Sequence, residues 1–301
     1  MVWPEEMKKR IILFFLSFAA LVGADEPSRS LWDYHPIHLG GNLLRLGGAE
    51  VKPRRGDEGG KLYFRKSNAF LNMLVPVSET TYFFPRLEWN TITMDWNQNP
   101  KFRTTHFYYV QFGLMMYSTG IEKWRWIARL DYNIDLEHFS QPGPYGLITG
   151  ILWGAYQIHR KWHYHIGATA YKGMEGQMLY PIIGLDYSPD KKWTFMAIFP
   201  IDYSIQYQAA KWCRLAIKAR PLRERFRVGH REPEPSAIFN YSSIGTEFNL
   251  HFEKTRRFEI ELYGGYNFGG SFYIKSQGGH RAYYTDLEGA PYGGGNIDYA
   301  F

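Results

Sequence analysis

Residues 124–137 read WRWIARLDYNIDLE, and this stretch decides the fold. Trp124, Trp126, Ala128, Leu130, Tyr132, Ile134 and Leu136 occupy every second place and are all apolar or aromatic. Arg125, Ile127, Arg129, Asp131, Asn133, Asp135 and Glu137 fill the alternate places, six of the seven polar. A period of two is a strand with two unlike faces, not a helix. A soluble sandwich would bury the apolar face against a second sheet, whereas a barrel in lipid turns it outward and keeps the polar face for the lumen.

The pattern recurs along the chain. Trp162, Tyr164, Ile166, Ala168 and Ala170 alternate with His163, His165, Gly167, Thr169 and Tyr171. Similar runs cover Ile201–Gln208, Ile244–Phe252 and Phe258–Phe268. Several strands open on a basic and then an aromatic residue just after a short polar turn: Lys123-Trp124, Lys161-Trp162, Lys192-Trp193, Lys211-Trp212 and Arg257-Phe258. The intervening connections are longer or richer in Pro and Gly, at 140–145, 173–177, 221–235 and 269–291. Short turns at one rim, long loops at the other and aromatics at the interface favour a membrane barrel over a sandwich.

The N-terminal residues explain how such a barrel reaches its membrane. Lys8, Lys9 and Arg10 precede an apolar run, Ile11–Val22, of 12 residues. That is shorter than the ~20 residues a spanning helix needs, and Val22-Gly23-Ala24 offers a cleavage site. Residues 1–24 are therefore expected to be an export signal removed after Ala24, and 25–36 a periplasmic lead-in or small plug. The barrel proper is expected over 37–301.

The last alternating residues, Ile297, Tyr299 and Phe301, close on an aromatic. Together with the export signal and the basic-aromatic strand starts, they resemble the signature of bacterial outer-membrane β-barrel proteins. Within that class the chain looks most like an uncharacterised barrel family carried only as a domain of unknown function. The resemblance implies an outer-membrane address, a last strand read by the barrel-insertion machinery, and contact with outer-membrane lipid and lipopolysaccharide. It supplies no substrate.

Counting strands back from Phe301 gives an all-β, antiparallel transmembrane barrel of 12–14 strands, with both termini at the short-turn rim. The weak place is 193–208, where two strands of seven or eight residues flank Pro200, short of the ~9 to 11 a membrane strand prefers. Composition agrees with this class: 10 Trp, 23 Tyr and 21 Phe with a mean hydropathy of −0.38 fit an apolar skin around a polar lumen. The one cysteine, Cys213, can form no internal disulfide and falls on the apolar face. Net charge drops from +6 to +5 when three Lys/Arg and two Glu leave with the signal, too little to imply a nucleic-acid partner.

Arg214, Lys218 and Arg220 share one strand face. If Pro221 breaks the register, Arg223, Arg225 and Arg227 extend it as a basic ladder along the lumen wall. An unpaired ladder would favour anions, or at the rim lipopolysaccharide phosphates. Pairing with Glu247, Glu259, Glu261 or Asp202 is the plainer expectation. His163 and His165 share a face but lack the further Cys or carboxylate of a firm metal site, so they read as lumen lining. No Gly-x-Ser-x-Gly or His-Glu-x-x-His occurs, and His230 with Glu232 and Glu234 in a Pro-rich loop reads as solvated. Neither catalysis nor a cofactor is expected. The functional expectation is passive passage or binding of small solutes, with anion preference if the ladder is unpaired. Its alternative is a structural or surface-interaction barrel that uses its long loops, or less favourably a lipid-modifying enzyme.

Overall fold

A computed structural model of the chain describes residues 36–52, 59–97, 105–229, 232, 236–254, 257–275 and 281–301. The expected export signal and all of the expected lead-in except Pro36 lie outside these, as do His230 and Glu234.

Sixteen strand segments form one antiparallel sheet. They are β1 (Ile37–Val51), β2 (Gly60–Met73), β3 (Val75–Ser78), β4 (Thr81–Trp96), β5 (His106–Ser118), β6 (Trp124–Asp135), β7 (Gly146–His159) and β8 (Trp162–Gly173), followed by β9 (Gly176–Tyr187), β10 (Trp193–Phe199), β11 (Asp202–Ala210), β12 (Cys213–Arg227), β13 (Ile238–Lys254), β14 (Phe258–Lys275), β15 (Arg281–Leu287) and β16 (Ala290–Ala300). β2 and β3 both pair with β4, and β15 and β16 both pair with β14 and β1. Each of those two couples is one interrupted strand, so the wall has fourteen strands. First meets last from His38↔Ala300 to Leu46↔Tyr292, and the sheet closes. Closure pairs the strand edges around the ring, as a sheet surrounded by hydrocarbon requires, except where β10 and β11 run short.

The two faces fall as the alternation predicts. Leu130, Ile166, Ile217, Phe248 and Leu262 are exposed on the outside, while Asp131, His165, Glu247 and Asn249 are buried on the inside. Register agrees, since outward Leu250 pairs with Leu262 and Ile260 with Ile297. Gly269, at φ 97°, makes a bulge where β13 and β14 slip register, and it moves β14's inward side from Asn267 to Phe272.

Three expected loops are shorter than the sequence suggests. Residues 173–177 are a two-residue turn at Met174 and Glu175, with φ 47° and 58°. β12 runs on to Arg227, and β14 to Lys275. Pro221 causes no register break: it pairs with Ile244 in an unbroken ladder. It sits just past Ala219, the last residue of β12 to pair with β11, where a missing N–H is tolerated at an edge.

The weak place at 193–208 holds two short strands, β10 of seven residues and β11 of nine. As a result β9 pairs with β10 only over 183–187, and β12 with β11 only over 213–219. The wall is low there, and the loop-rim ends of β9 and β12 rise above it.

Face assignment predicts unequal tolerance to charge. Leu130→Arg, on the outer face at the middle of β6, should cost ~2 to 4 kcal/mol in a folding titration in lipid vesicles. Arg214→Gln on the inner face should cost less than ~0.5 kcal/mol. Equal losses would overturn the assignment.

Candidate functional site

The short-turn half of the lumen is lined by charged and amide side chains that satisfy one another. Arg220 grips Glu247 with two bonds, Nε at 2.6 Å and Nη2 at 2.7 Å, and the Tyr292 hydroxyl donates to the same carboxylate at 3.1 Å. Lys218 reaches Glu261 at 3.0 Å, and Glu261 also accepts from Asn249 at 2.5 Å and from Asn296. On the far wall Arg86 pairs with Glu88 at 2.6 Å and Arg129 with Asp131 at 2.7 Å. A small cavity lies between Arg86, Gly113, Arg129 and Asp131. It measures about 60 Å³, room for a few water molecules at most.

His163 and His165 both address Asp186 on the next strand, at 2.7 Å from Nδ1 and 2.9 Å from Nε2. Trp153 Nε1 donates to His165 Nδ1 at 3.0 Å. An indole N–H can only donate, so Nδ1 of His165 is an acceptor and the ring proton sits on Nε2, aimed at the carboxylate. The pair is a polar brace across β7, β8 and β9. No group of three or more metal-ligating side chains with metal geometry occurs among the described residues.

The long-loop half of the lumen is different: it is filled. Phe226, Arg227 and Val228 at the end of β12 are buried in succession, as are Ser236 to Tyr241 at the start of β13. Consecutive burial means that both faces of this hairpin end are covered. Its inner face packs on the opposite wall, where Phe226 stacks on Phe107 at 5.0 Å between centroids and Tyr241 on Phe64 at 5.6 Å. β5 and β12 stand seven strands apart in a ring of fourteen, so Phe107 and Phe226 meet across the full width of the barrel. Lys66 of β2 also reaches across, to Glu224 of β12, at 2.8 Å.

The outer face of the hairpin end is held by the tight turn between β8 and β9. Arg225 donates to the Met174 carbonyl and, at 2.8 Å, to Asn240. Arg227 pairs with Glu175 at 2.9 Å, bonds the Ser236 carbonyl and lies over the Tyr145 ring at 5.7 Å. Arg223 donates to the Tyr180 hydroxyl at 3.0 Å. A Cβ on Gly176 would sit 2.7 Å from the Arg225 guanidinium, which would have to shift to admit it.

The expected basic ladder therefore divides. Arg214, Lys218 and Arg220 share the lumen face, and the latter two are paired with carboxylates. Because the register runs through Pro221 unbroken, Arg223, Arg225 and Arg227 fall on the opposite face, where they clasp the β8–β9 turn. Ile297, Tyr299 and Phe301 are exposed on the outside of the closing strand, with Tyr299 and Phe301 edge to face at 4.8 Å. Sequence reading missed Asp186, Glu175 and the aromatic seal, since each depends on a strand distant in sequence.

Comparisons bear on the fold. The family model described as a domain of unknown function, DUF6268, matches residues 92–299. An uncharacterised protein of Chlamydia pneumoniae is 28% identical over 151 residues, 50% of this chain and 47% of the relative. Another, of Chlamydia trachomatis serovar D, is 22% identical over 223 residues, 69% of this chain and 70% of the relative. The match thus spans about half the length of the first relative. An outer-membrane channel of Pseudomonas putida F1 superposes with a TM-score of 0.50 at 8% identity, covering 92% of this chain and all of the channel. At that identity the likeness is one of fold: an outer-membrane β-barrel.

The paired charges carry a test. Arg220→Met leaves the fully buried Glu247 carboxylate without its cation and should cost about 3 kcal/mol in the same folding titration. The double variant Arg220→Met/Glu247→Leu should recover most of that loss. A double variant as unstable as the sum of its singles would show that the two side chains act independently.

Proposed function

Since this chain belongs to the family described as a domain of unknown function, DUF6268, which brings no substrate with it, we propose from its geometry that the protein is an outer-membrane channel for small solutes held shut by its own β12–β13 hairpin. The observation that carries the reading is the double burial of residues 226–228 and 236–241, which fill the long-loop half of the lumen. Beneath them the wall is polar and wide in circumference. Fourteen strands enclose more than the eight whose side chains alone can fill a barrel.

An apolar layer several side chains thick excludes water and hence ions. What fastens the hairpin from outside is polar and local: Arg223, Arg225 and Arg227 against one two-residue turn and Tyr180. Pairing of Lys218 with Glu261 and of Arg220 with Glu247 removes the ground for an anion preference. Removal of the leader after Ala24, and reading of Ile297, Tyr299 and Phe301 by the insertion machinery, belong to the same proposal.

Planar-bilayer recording tests it. The wild-type barrel should give no steady conductance, and loss of both the clasp and the seal, in Arg225→Ala/Arg227→Ala/Phe226→Ala/Phe239→Ala, should give discrete steps. Steady wild-type conductance would remove the seal. A folded clasp variant that stays silent would favour a barrel working through partner-binding loops.

A further inference from the structure

We infer that one arc of the short-turn rim is a docking surface for anionic glycerophospholipid, the headgroup phosphate lying on lysines and the acyl chains on a band of stacked aromatic rings. Four turns each place an exposed lysine immediately before an aromatic strand start: Lys123-Trp124, Lys161-Trp162, Lys192-Trp193 and Lys211-Trp212. None of the four lysines forms an ion pair with another described residue. Trp162, Trp193 and Trp212 are exposed on the outer face.

The rings form a band across neighbouring strands. Trp124 lies 5.0 Å from Tyr156, Trp162 stacks on Tyr187 at 4.2 Å, Trp193 approaches Tyr207 at 4.7 Å, and Trp212 stacks on Phe252 at 6.1 Å. Phe195 links two of these pairs, at 6.3 Å from Tyr187 and 6.0 Å from Trp193. Such a band sits at the level of the lipid headgroups, and the rim cations stand just beyond it.

The acids on these turns are fewer than the lysines and leave a net positive charge. Among the described residues they are Glu122, Asp190 and Glu253. Asp190 is exposed and caps its own turn, accepting the backbone N–H groups of Lys192 at 2.7 Å and Trp193 at 2.9 Å, while its charge offsets part of that of Lys192 and Lys161. Those two bonds, that from Trp193 foremost, hold its carboxyl below the usual range and so ionised. Around the rim the pattern stops. The turn Ser78–Thr80 carries Glu79 and no cation, and the meeting of the termini pairs His38 with Asp298 at 3.0 Å. A phosphodiester-bearing lipid matches an arc that is cationic at the polar level and aromatic just below it. A soluble acidic partner would have no use for the aromatic band.

The test places the full-length barrel in phosphatidylcholine nanodiscs holding a fixed fraction of lipid brominated on its acyl chains, a contact quencher of indole fluorescence. Brominated phosphatidylglycerol should quench more strongly than brominated phosphatidylcholine at equal fraction, with a local enrichment of about fivefold. The preference should shrink at 1 M salt, where screening acts over ~3 Å. It should also shrink in the variant Lys123→Gln/Lys161→Gln/Lys192→Gln/Lys211→Gln, whose exposed substitutions leave the barrel folded by heat-modifiability. Equal quenching by the two lipids would overturn the proposal, as would a preference that survives loss of all four lysines.

Discussion

A sheet in hydrocarbon can leave no strand edge unpaired, and the rest of this structure depends on how that rule is met. The ladder from His38↔Ala300 to Leu46↔Tyr292 meets it for most of the circumference. It fails locally at β10 and β11, which are too short to accompany β9 and β12 to the long-loop rim. The remedy is an overlap. Tyr180 and the β8–β9 turn lie against the outer face of β12, and the β12 arginines tie the two together where no ladder joins them. With that side held in, the inner face of β12 reaches the opposite wall, and the lumen closes on Phe107, Phe226 and Phe239.

This also explains which parts of the fold were legible in the sequence. Alternation shows where one face of a strand meets lipid and the other meets polar lumen, as in Trp124–Asp135 or Trp162–Gly173. Twelve to fourteen strands, and the faces of the well-alternating ones, followed from that alternation together with the turn signals. Where both faces are buried the contrast vanishes, and Ile238-Phe239-Asn240-Tyr241 carries no period to read. Proline and arginine then made the end of β12 look like a loop. The parity of the arginines was the recoverable signal: without a register break, Arg223 cannot share a face with Arg220, and only the pairing of Pro221 with Ile244 establishes that no break occurs.

The partners of the charged residues were less legible than their faces. Lys218 stands directly opposite Glu247 in the β12–β13 ladder, yet it bonds Glu261 on β14, and Arg220 takes Glu247 on the diagonal. The Tyr263 ring helps to set this choice. It lies under the Arg220 guanidinium at 4.4 Å and its hydroxyl bonds the Leu43 carbonyl at 3.1 Å, across a wall kept bare by Gly294. Sequence gives the inventory of inward charges, but which carboxylate each cation finds depends on strand tilt and on the aromatic rings between them.

On the shut-channel proposal, the same contacts bound how the barrel can open. Releasing the hairpin exposes Phe226, Phe239 and Tyr241, each fully buried, at roughly 2 kcal/mol apiece. That is about 6 kcal/mol before the ion pair of Arg227 with Glu175 is counted. A gap of that size leaves the open form at about one part in twenty thousand. Thermal motion alone therefore does not make this barrel a pore. An opener has to bind the open form more tightly than the closed one by a comparable factor, because equal affinity for both shifts nothing. The surface with that property is the one uncovered by opening: the aromatic faces of Phe64, Phe107 and Tyr109 on the opposite wall, together with Glu175, which loses its arginine.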